Sequence, residues 1–260
     1  MTRTEAKIRS LAAKAVFEYN MIEDGDRLLL GVSGGPDSLA LFELFRNGFA
    51  DIRRNFRILA VHIDLGFDQP PPANAQVLES HFRSAGVDYR IVRTQIASRA
   101  LDPAAKKNPC FICSLYRRRA IYEVAREEGC NKIAYGHHRD DIIETLFLNI
   151  LYDRVIGAMN PVQGLFRNSL FIIRPFLYVD EWLLKNFAEQ SGLPRLPRIC
   201  PMDGKTRREK IKKMIASIQR SEPDLHIRDN IFKSLQHSQD GFKRPGSSLR
   251  GDLESAGEKL

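Results

Sequence analysis

The stretch that most constrains this chain is Gly31-Val32-Ser33-Gly34-Gly35-Pro36-Asp37-Ser38. It follows an apolar run, Arg27-Leu28-Leu29-Leu30, and precedes Leu39, Leu41, Phe42, Leu44 and Phe45 at helical spacing. The pattern predicts a strand, a tight glycine turn and a helix start. Such a turn leaves backbone N–H groups unpaired at the positive end of the helix dipole, and adjacent glycines let an anion approach without Cβ interference. Ser33, Gly34, Gly35, Asp37 and Ser38 are therefore read as a phosphate cradle. The spacing fits neither Gly-x-x-x-x-Gly-Lys-Ser/Thr nor Gly-x-Gly-x-x-Gly. An ordinary turn capped by Ser33 or Asp37 is the alternative.

Around this turn the pattern alternates helix and strand. An amphipathic helix over about residues 4–20 leads in. After the glycine helix, Arg57-Ile58-Leu59-Ala60-Val61-His62-Ile63-Asp64 reads as a buried parallel strand. Asp64 at its C-terminal end either meets a nucleotide or its Mg²⁺, or caps the loop. Further expectations are a helix over 73–85, a strand over 87–92, a surface loop over 96–109, and a basic helix opening at Ser114. A strand over 131–136 then delivers His137-His138-Arg139-Asp140-Asp141 to the edge where Asp64 sits, and a helix continues over 142–151. Phe171-Ile172-Ile173 is the last expected strand, and helices over 179–190 and 205–220 complete the ordered chain. The domain reading is a main unit over 1–195, a basic helical extension over 196–237 and a disordered tail over 238–260.

At 260 residues and a formal charge of +8, the chain can bury a full α/β core and suits a polyanionic partner. No apolar run approaches the roughly 18 residues of a membrane span, and no secretory apolar region follows Met1-Thr2-Arg3-Thr4-Glu5, so a cytoplasmic protein without a membrane partner is expected. The four cysteines, Cys110, Cys113, Cys130 and Cys200, are too few for a disulfide scaffold. Cys110 and Cys113 lie near one expected helix start and Cys200 near another, where N–H groups would favour thiolates. Three thiolates can hold an iron–sulfur cluster with one iron open, or nearly complete a zinc site. Cys130, before a strand, reads as a small core residue. The carboxylates of the His-His-Arg-Asp-Asp run can hold Mg²⁺ while phosphates supply its other ligands.

The Ser-Gly-Gly-x-Asp-Ser loop resembles that of the PP-loop ATP pyrophosphatases, which split ATP into AMP and pyrophosphate. The likeness extends to Cys-x-x-Cys-Ser-Leu-Tyr-Arg-Arg-Arg at 110–119, Gly-His-His-Arg-Asp-Asp-Ile-Ile-Glu-Thr-Leu-Phe-Leu-Asn at 136–149, Ile-Arg-Pro at 173–175, and Cys200 ahead of a basic helix. Over about residues 7–220 the chain resembles the tRNA 2-thiocytidine synthetases.

This resemblance implies a Rossmann-like parallel sheet of the PP-loop type with a short C-terminal helical extension. It implies a 4Fe-4S cluster on Cys110, Cys113 and Cys200, with the fourth iron free to carry sulfide. It implies adenylation of O2 of an anticodon-loop cytidine, then displacement of AMP by sulfur, so Asp37 and the three cysteines are the expected catalytic residues. ATP would be held by Ser33, Gly34, Gly35, Asp37, Ser38, Asp64, Gly136, His137 and Arg174, with Asp37 and Asp141 on Mg²⁺. Arg117, Arg118, Arg119, Arg208 and Lys212 would meet the RNA. Expected partners are tRNA and a sulfur donor such as a cysteine desulfurase, with a homodimer as a candidate assembly. Pro36 departs from the family, standing where lysine is common and removing one cation from the phosphate site. The same activation chemistry on another acceptor (tRNA uridine or a small molecule), or a zinc-stabilised RNA-binding protein with a vestigial nucleotide site, are the alternative functions.

Overall fold

A computed structural model describes residues 1–46, 49, 52–67 and 73–235. The tail expected over 238–260 lies outside the described residues. The sheet has six strands: β1 (Arg27–Gly31), β2 (Arg57–Asp64), β3 (Tyr89–Arg93), β4 (Lys132–Ala134), β5 (Val162–Leu165) and β6 (Leu170–Ile173), in the order β3-β2-β1-β4-β6-β5. All neighbours are parallel except β5, which runs antiparallel to β6. The strand order reverses between β1 and β4, and a crevice opens beyond their C-terminal ends, where open α/β sheets bind ligands.

Period-two alternation sorts the strand side chains onto two cores. Leu28, Leu30, Ala60, Ala134 and Ile173 join one core, together with α1 (Arg3–Glu18), α2 (Pro36–Arg46), α3 (Asn74–Ser84), α6 (Arg139–Leu148) and α7 (Glu181–Gln190). Leu29, Leu59, Val61, Ile63 and Ile133 face the other core, covered by α4 (Ile96–Ala100) and α5 (Pro109–Glu127). The basic helix α8 (Arg207–Ser221) and α9 (Ile227–Ser234) bring Ile211, Ile215 and Phe232 into the first core.

Several boundaries differ from the sequence expectation. Residues 96–100 are helical, because Ile96, Ala97 and Ala100 are buried in spite of the polar run behind them. The basic helix opens at Pro109, not Ser114: Asn108 caps it by accepting the Cys110 N–H at 2.9 Å, and proline suits the first helical position. The helix after β4 starts at Arg139 and passes at Asn149 into one π-helical turn, Asn149–Asp153. Strand β5 was not expected; it is short, half-buried and contains Gly164, so it carries little apolar signal.

The N-terminal edge of the sheet is tied by a buried ion pair. Lys132 Nζ lies 2.7 Å from Asp26 Oδ2, and Asp26 also accepts the Glu23 N–H at 2.7 Å and the Asn131 Nδ2 at 2.7 Å. Both members are buried. Removing one leaves the other's charge uncompensated, which costs about 3–5 kcal/mol. Lys132→Ala is expected to lose stability in that range in urea unfolding; a loss under about 1 kcal/mol would mean that the other Asp26 bonds suffice.

Candidate active site

The glycine turn leaves β1 and enters α2 with Pro36 as the first helical residue, whose missing N–H would be unpaired there in any case. Ser38 closes the turn from inside. Its Oγ accepts the N–H groups of Ser33 at 3.1 Å and Gly34 at 3.2 Å and donates to the Gly35 carbonyl at 2.9 Å. Gly34 has φ +91°, and a Cβ there would strike Leu196. The turn thus has the small, left-handed backbone that a phosphate cradle needs.

The second half of the site leaves β4. A Cβ on Gly136 would lie 2.7 Å from the Asp37 carbonyl oxygen and 3.1 Å from the Ser38 nitrogen, so backbone rests directly on the first turn of α2. This contact sets His138 beside Asp37. His138 Nδ1 accepts the Asp141 N–H at 3.3 Å and the His138 N–H donates to Asp141 Oδ2 at 3.2 Å, a reciprocal cap on α6. With Nδ1 accepting, Nε2 carries the proton of the neutral ring; it stands 3.4 Å from Asp141 Oδ2 and 3.8 Å from Asp37 Oδ2. Burial lifts the Asp37 carboxyl to about 6, opposed by His138 and reinforced by Asp141 and Glu181.

A cavity of about 1110 Å³ runs from the glycine turn past Asp64, Gly136, His137, Asp141 and Arg174 to Cys200. Asp64 Oδ1 accepts the Gly66 N–H at 3.0 Å, so loop capping engages one oxygen while the residue still lines the cavity. Burial drives His137 down to about 3, keeping it neutral, and it lowers Arg174 to about 10. The guanidinium of Arg174 donates to the Asn160 carbonyl and to Gln163 Oε1. His62, not among the residues expected at the site, donates its Nδ1–H to the Val32 carbonyl at 2.8 Å and braces the turn from β2. Its signal was one imidazole inside an otherwise apolar strand.

The cysteines fall into two groups. Burial pushes the thiols of Cys110 and Cys113 up, and the neighbouring Cys200 pushes both further, which puts the three within electrostatic reach of one another. Arg117, one turn after Cys113 on α5, opposes the rise at Cys113. The expected placing of Cys200 at a helix start is corrected: it precedes a run of turns, and α8 begins seven residues later at Arg207. Nor does the helix start lower the thiols, since the N–H of Cys110 is already taken by Asn108 and burial dominates. Cys130 is buried in the second core, its thiol raised to about 11 by burial, with Arg27 and Glu128 as its charged neighbours.

Among the described residues, no three His, Cys, Asp or Glu side chains converge tightly enough to hold a single metal ion. An iron–sulfur cluster asks for one thiolate per iron, so its ligands stand apart, and the three-cysteine set fits it with one iron open. Mg²⁺ takes one or two carboxylates and leaves the rest to phosphate and water. Asp37 fits, because its Oδ1 is buried with no hydrogen-bond partner; both oxygens of Asp141 are engaged, one by the His138 N–H and the other by Arg208 at 3.1 Å.

The basic residues divide as well. Arg117 and Arg118 line the cavity, and Arg119 pairs with Glu123 at 2.9 Å on the outer face of α5. Arg208 turns inward to Asp141 and Glu144, and Lys212 binds both oxygens of Glu181 at 2.6 Å. Lys185, also in the cavity, pairs with Glu181 at 2.7 Å and stands near enough to Asp37 to favour its ionised form. It is a cation in the region where Pro36 supplies none.

The PP-loop domain family matches residues 2–214. The tRNA-cytidine(32) 2-sulfurtransferase of Syntrophotalea carbinolica is 35% identical over 238 residues, covering 90% of this chain and 89% of that protein. The enzyme of the same name from Dechloromonas aromatica is 36% identical over 226 residues, covering 86% and 77%. In fold, the chain is similar to the U34-tRNA thiolase NcsA from Methanococcus maripaludis, solved with its [4Fe-4S] cluster: TM-score 0.69 at 20% identity, over 90% of this chain and 80% of that one. A glycine cradle at the sheet's switch point, three cysteines grouped beside it and these sequence relatives agree: the chain belongs to the PP-loop family, among the tRNA-cytidine(32) 2-sulfurtransferases.

Proposed function

We propose that this protein uses ATP to replace O2 of a tRNA anticodon-loop cytidine with sulfur, giving 2-thiocytidine. The observation that carries the reading is the single cavity joining the glycine cradle to Cys200, which lets a nucleotide and a sulfur site share one substrate base. The chemistry needs two steps. The cytosine O2 bonds to the α-phosphorus as pyrophosphate leaves; sulfide then adds at C2 and AMP departs with the original oxygen. An amide-like oxygen is a poor leaving group, and adenylation converts it into a good one.

Each part of the chain has a role in this scheme. The backbone of Ser33, Gly34 and Gly35 holds phosphate, and Asp37 supplies its unpaired carboxylate oxygen, Oδ1, for Mg²⁺. Neutral His137 and charged Arg174 line the nucleotide end, while Lys185 offsets the cation missing at Pro36. When bound on Cys110, Cys113 and Cys200, a 4Fe-4S cluster supplies an open iron for the sulfide that is transferred. Arg117, Arg118 and Arg119, with the exposed Lys205, Lys210 and Lys213 of the last basic segment, offer a phosphate-binding rim beside the cysteines. A sulfur donor such as a cysteine desulfurase would deliver sulfide there.

Protein reconstituted with its cluster and given ATP, sulfide and unmodified tRNA should form 2-thiocytidine in nucleoside mass spectrometry, with AMP and pyrophosphate in equal amounts. ADP as the main product would contradict the reading. Cys110→Ser, Cys113→Ser and Cys200→Ser should each lose iron and acid-labile sulfide in anaerobic preparations, whereas Cys130→Ser should keep both. Full iron in any of the first three removes that residue from the ligand set.

Asp37 also yields a stability prediction. Its carboxyl rises from 3.8 to about 6 on folding, so the folded state binds its proton more tightly than the unfolded chain does. Stability is therefore lost as pH rises from about 4 through 6, and the penalty is complete above that. In nucleotide-free protein Asp37→Asn should raise Tm at pH 7–8, with the gain vanishing near pH 4, while abolishing turnover. An unchanged Tm across that range would show that the carboxylate is not strained in the fold.

A further inference from the structure

Arg208 stands in the first turn of the basic helix α8, yet it faces the protein. Its Nη1 donates to Asp141 Oδ1 and Glu144 Oε2, each at 3.1 Å, and its Nη2 donates to Thr145 Oγ1 at 3.2 Å. Asp141 and Glu144 are three residues apart on α6 and lie on one face, so their like charges repel unless a cation sits between them. Glu144 is buried, and water cannot take over that task.

The same residue ends the segment that carries the third cysteine. At the other end Leu196 packs against Gly34 of the cradle, and Asn74 Nδ2 donates to the Pro197 carbonyl at 3.2 Å. Between these anchors the chain is a run of turns, with the Cys200 carbonyl accepting the Asp203 N–H at 3.0 Å. Cys200 therefore hangs between the glycine turn and Asp141, and at the far end the Arg208 guanidinium is the link to Asp141, ahead of the buried Ile211 and Ile215 and the Lys212–Glu181 pair that hold the rest of α8.

We propose that Arg208 is a positioning residue for the reaction: it holds Asp141 in place and sets where Cys200 stands relative to the nucleotide site. The inference rests on the function proposed above. It separates Arg208 from the exposed cations of its own helix, which are free to meet RNA.

The test measures kcat and KM for tRNA thiolation, tRNA Kd and iron content in the cluster-bearing, full-length protein. Arg208→Met should lower kcat about 100-fold, the usual cost of a misplacement near 1 Å, with tRNA Kd within about twofold of wild type. Arg208→Lys should stay roughly tenfold low, because an ammonium lacks the fork that reaches three partners. Adding Glu144→Gln to Arg208→Met should recover several-fold in kcat by removing the like charge beside Asp141. Should Arg208→Met fail to fold, Arg208→Lys and Thr145→Val, the latter expected to cost a few-fold in kcat, carry the same test. Wild-type kcat in Arg208→Lys, or weaker tRNA binding with kcat intact in either variant, would overturn the proposal. A wild-type protein that thiolates no tRNA would sink the parent function and this inference together, whereas wild-type activity with unaffected variants sinks only the inference.

Discussion

The site depends on one contact in which no side chain takes part. Gly136 lies so close to the backbone of Asp37 and Ser38 that a single added carbon would meet a carbonyl oxygen at 2.7 Å. That approach closes the crevice between β1 and β4 to backbone distance and makes the glycine turn and the His137–Asp141 run two walls of one cavity. Any larger residue would part the walls, since the neighbour that must give way is helix backbone rather than a flexible side-chain tip. His138 then connects the walls, capping α6 with one nitrogen while the other faces the carboxylates.

Charge follows from this geometry. Asp37, Asp141 and Glu181 from the first turns of three helices, and Glu144 from the second turn of α6, line one pocket beside the crevice. Their mutual repulsion is offset by cations from later in the chain. Lys185 and Lys212 hold Glu181 down to about 2 although burial alone would raise it, and Arg208 serves Asp141 and Glu144. Asp37 is the member left without such a partner on Oδ1, and its raised carboxyl records the cost.

The two ends of the cavity differ in how they are held. The end at the glycine turn is built from strand termini and glycine backbone packed at close range. At the other end, Ser114, Arg117 and Arg118 of α5 line the cavity together with an irregular segment anchored at Leu196 and Arg208. Cys110 and Cys200 are exposed and Cys113 is half-buried, and Cys200 lines the cavity.

The amino-acid sequence by itself determined much of this protein. The apolar runs with period two or with full burial marked five of the six strands, and the glycine turn, the Cys-x-x-Cys pair and the Gly-His-His-Arg-Asp-Asp run pointed to the family before any contact was known. These are local signals: a strand, a turn and a helix start each depend on neighbours a few residues away. What the tertiary structure alone decided is where distant charges end. A run of seven basic residues over 205–220 reads as one polyanion-binding face, but Arg208 and Lys212 project from it onto carboxylates of α6 and α7, some 30 to 67 residues earlier in the chain. Helical spacing says which residues share a face, not which face another helix will cover. Likewise Cys200 looked like a helix-start cysteine from its distance to the basic run, and only the tertiary structure shows it in an irregular segment ahead of a run of turns, with Leu196 and Arg208 packed at either end. Long-range burial, not local propensity, sets both outcomes, because the free energy of a charge depends on what has been removed from water around it.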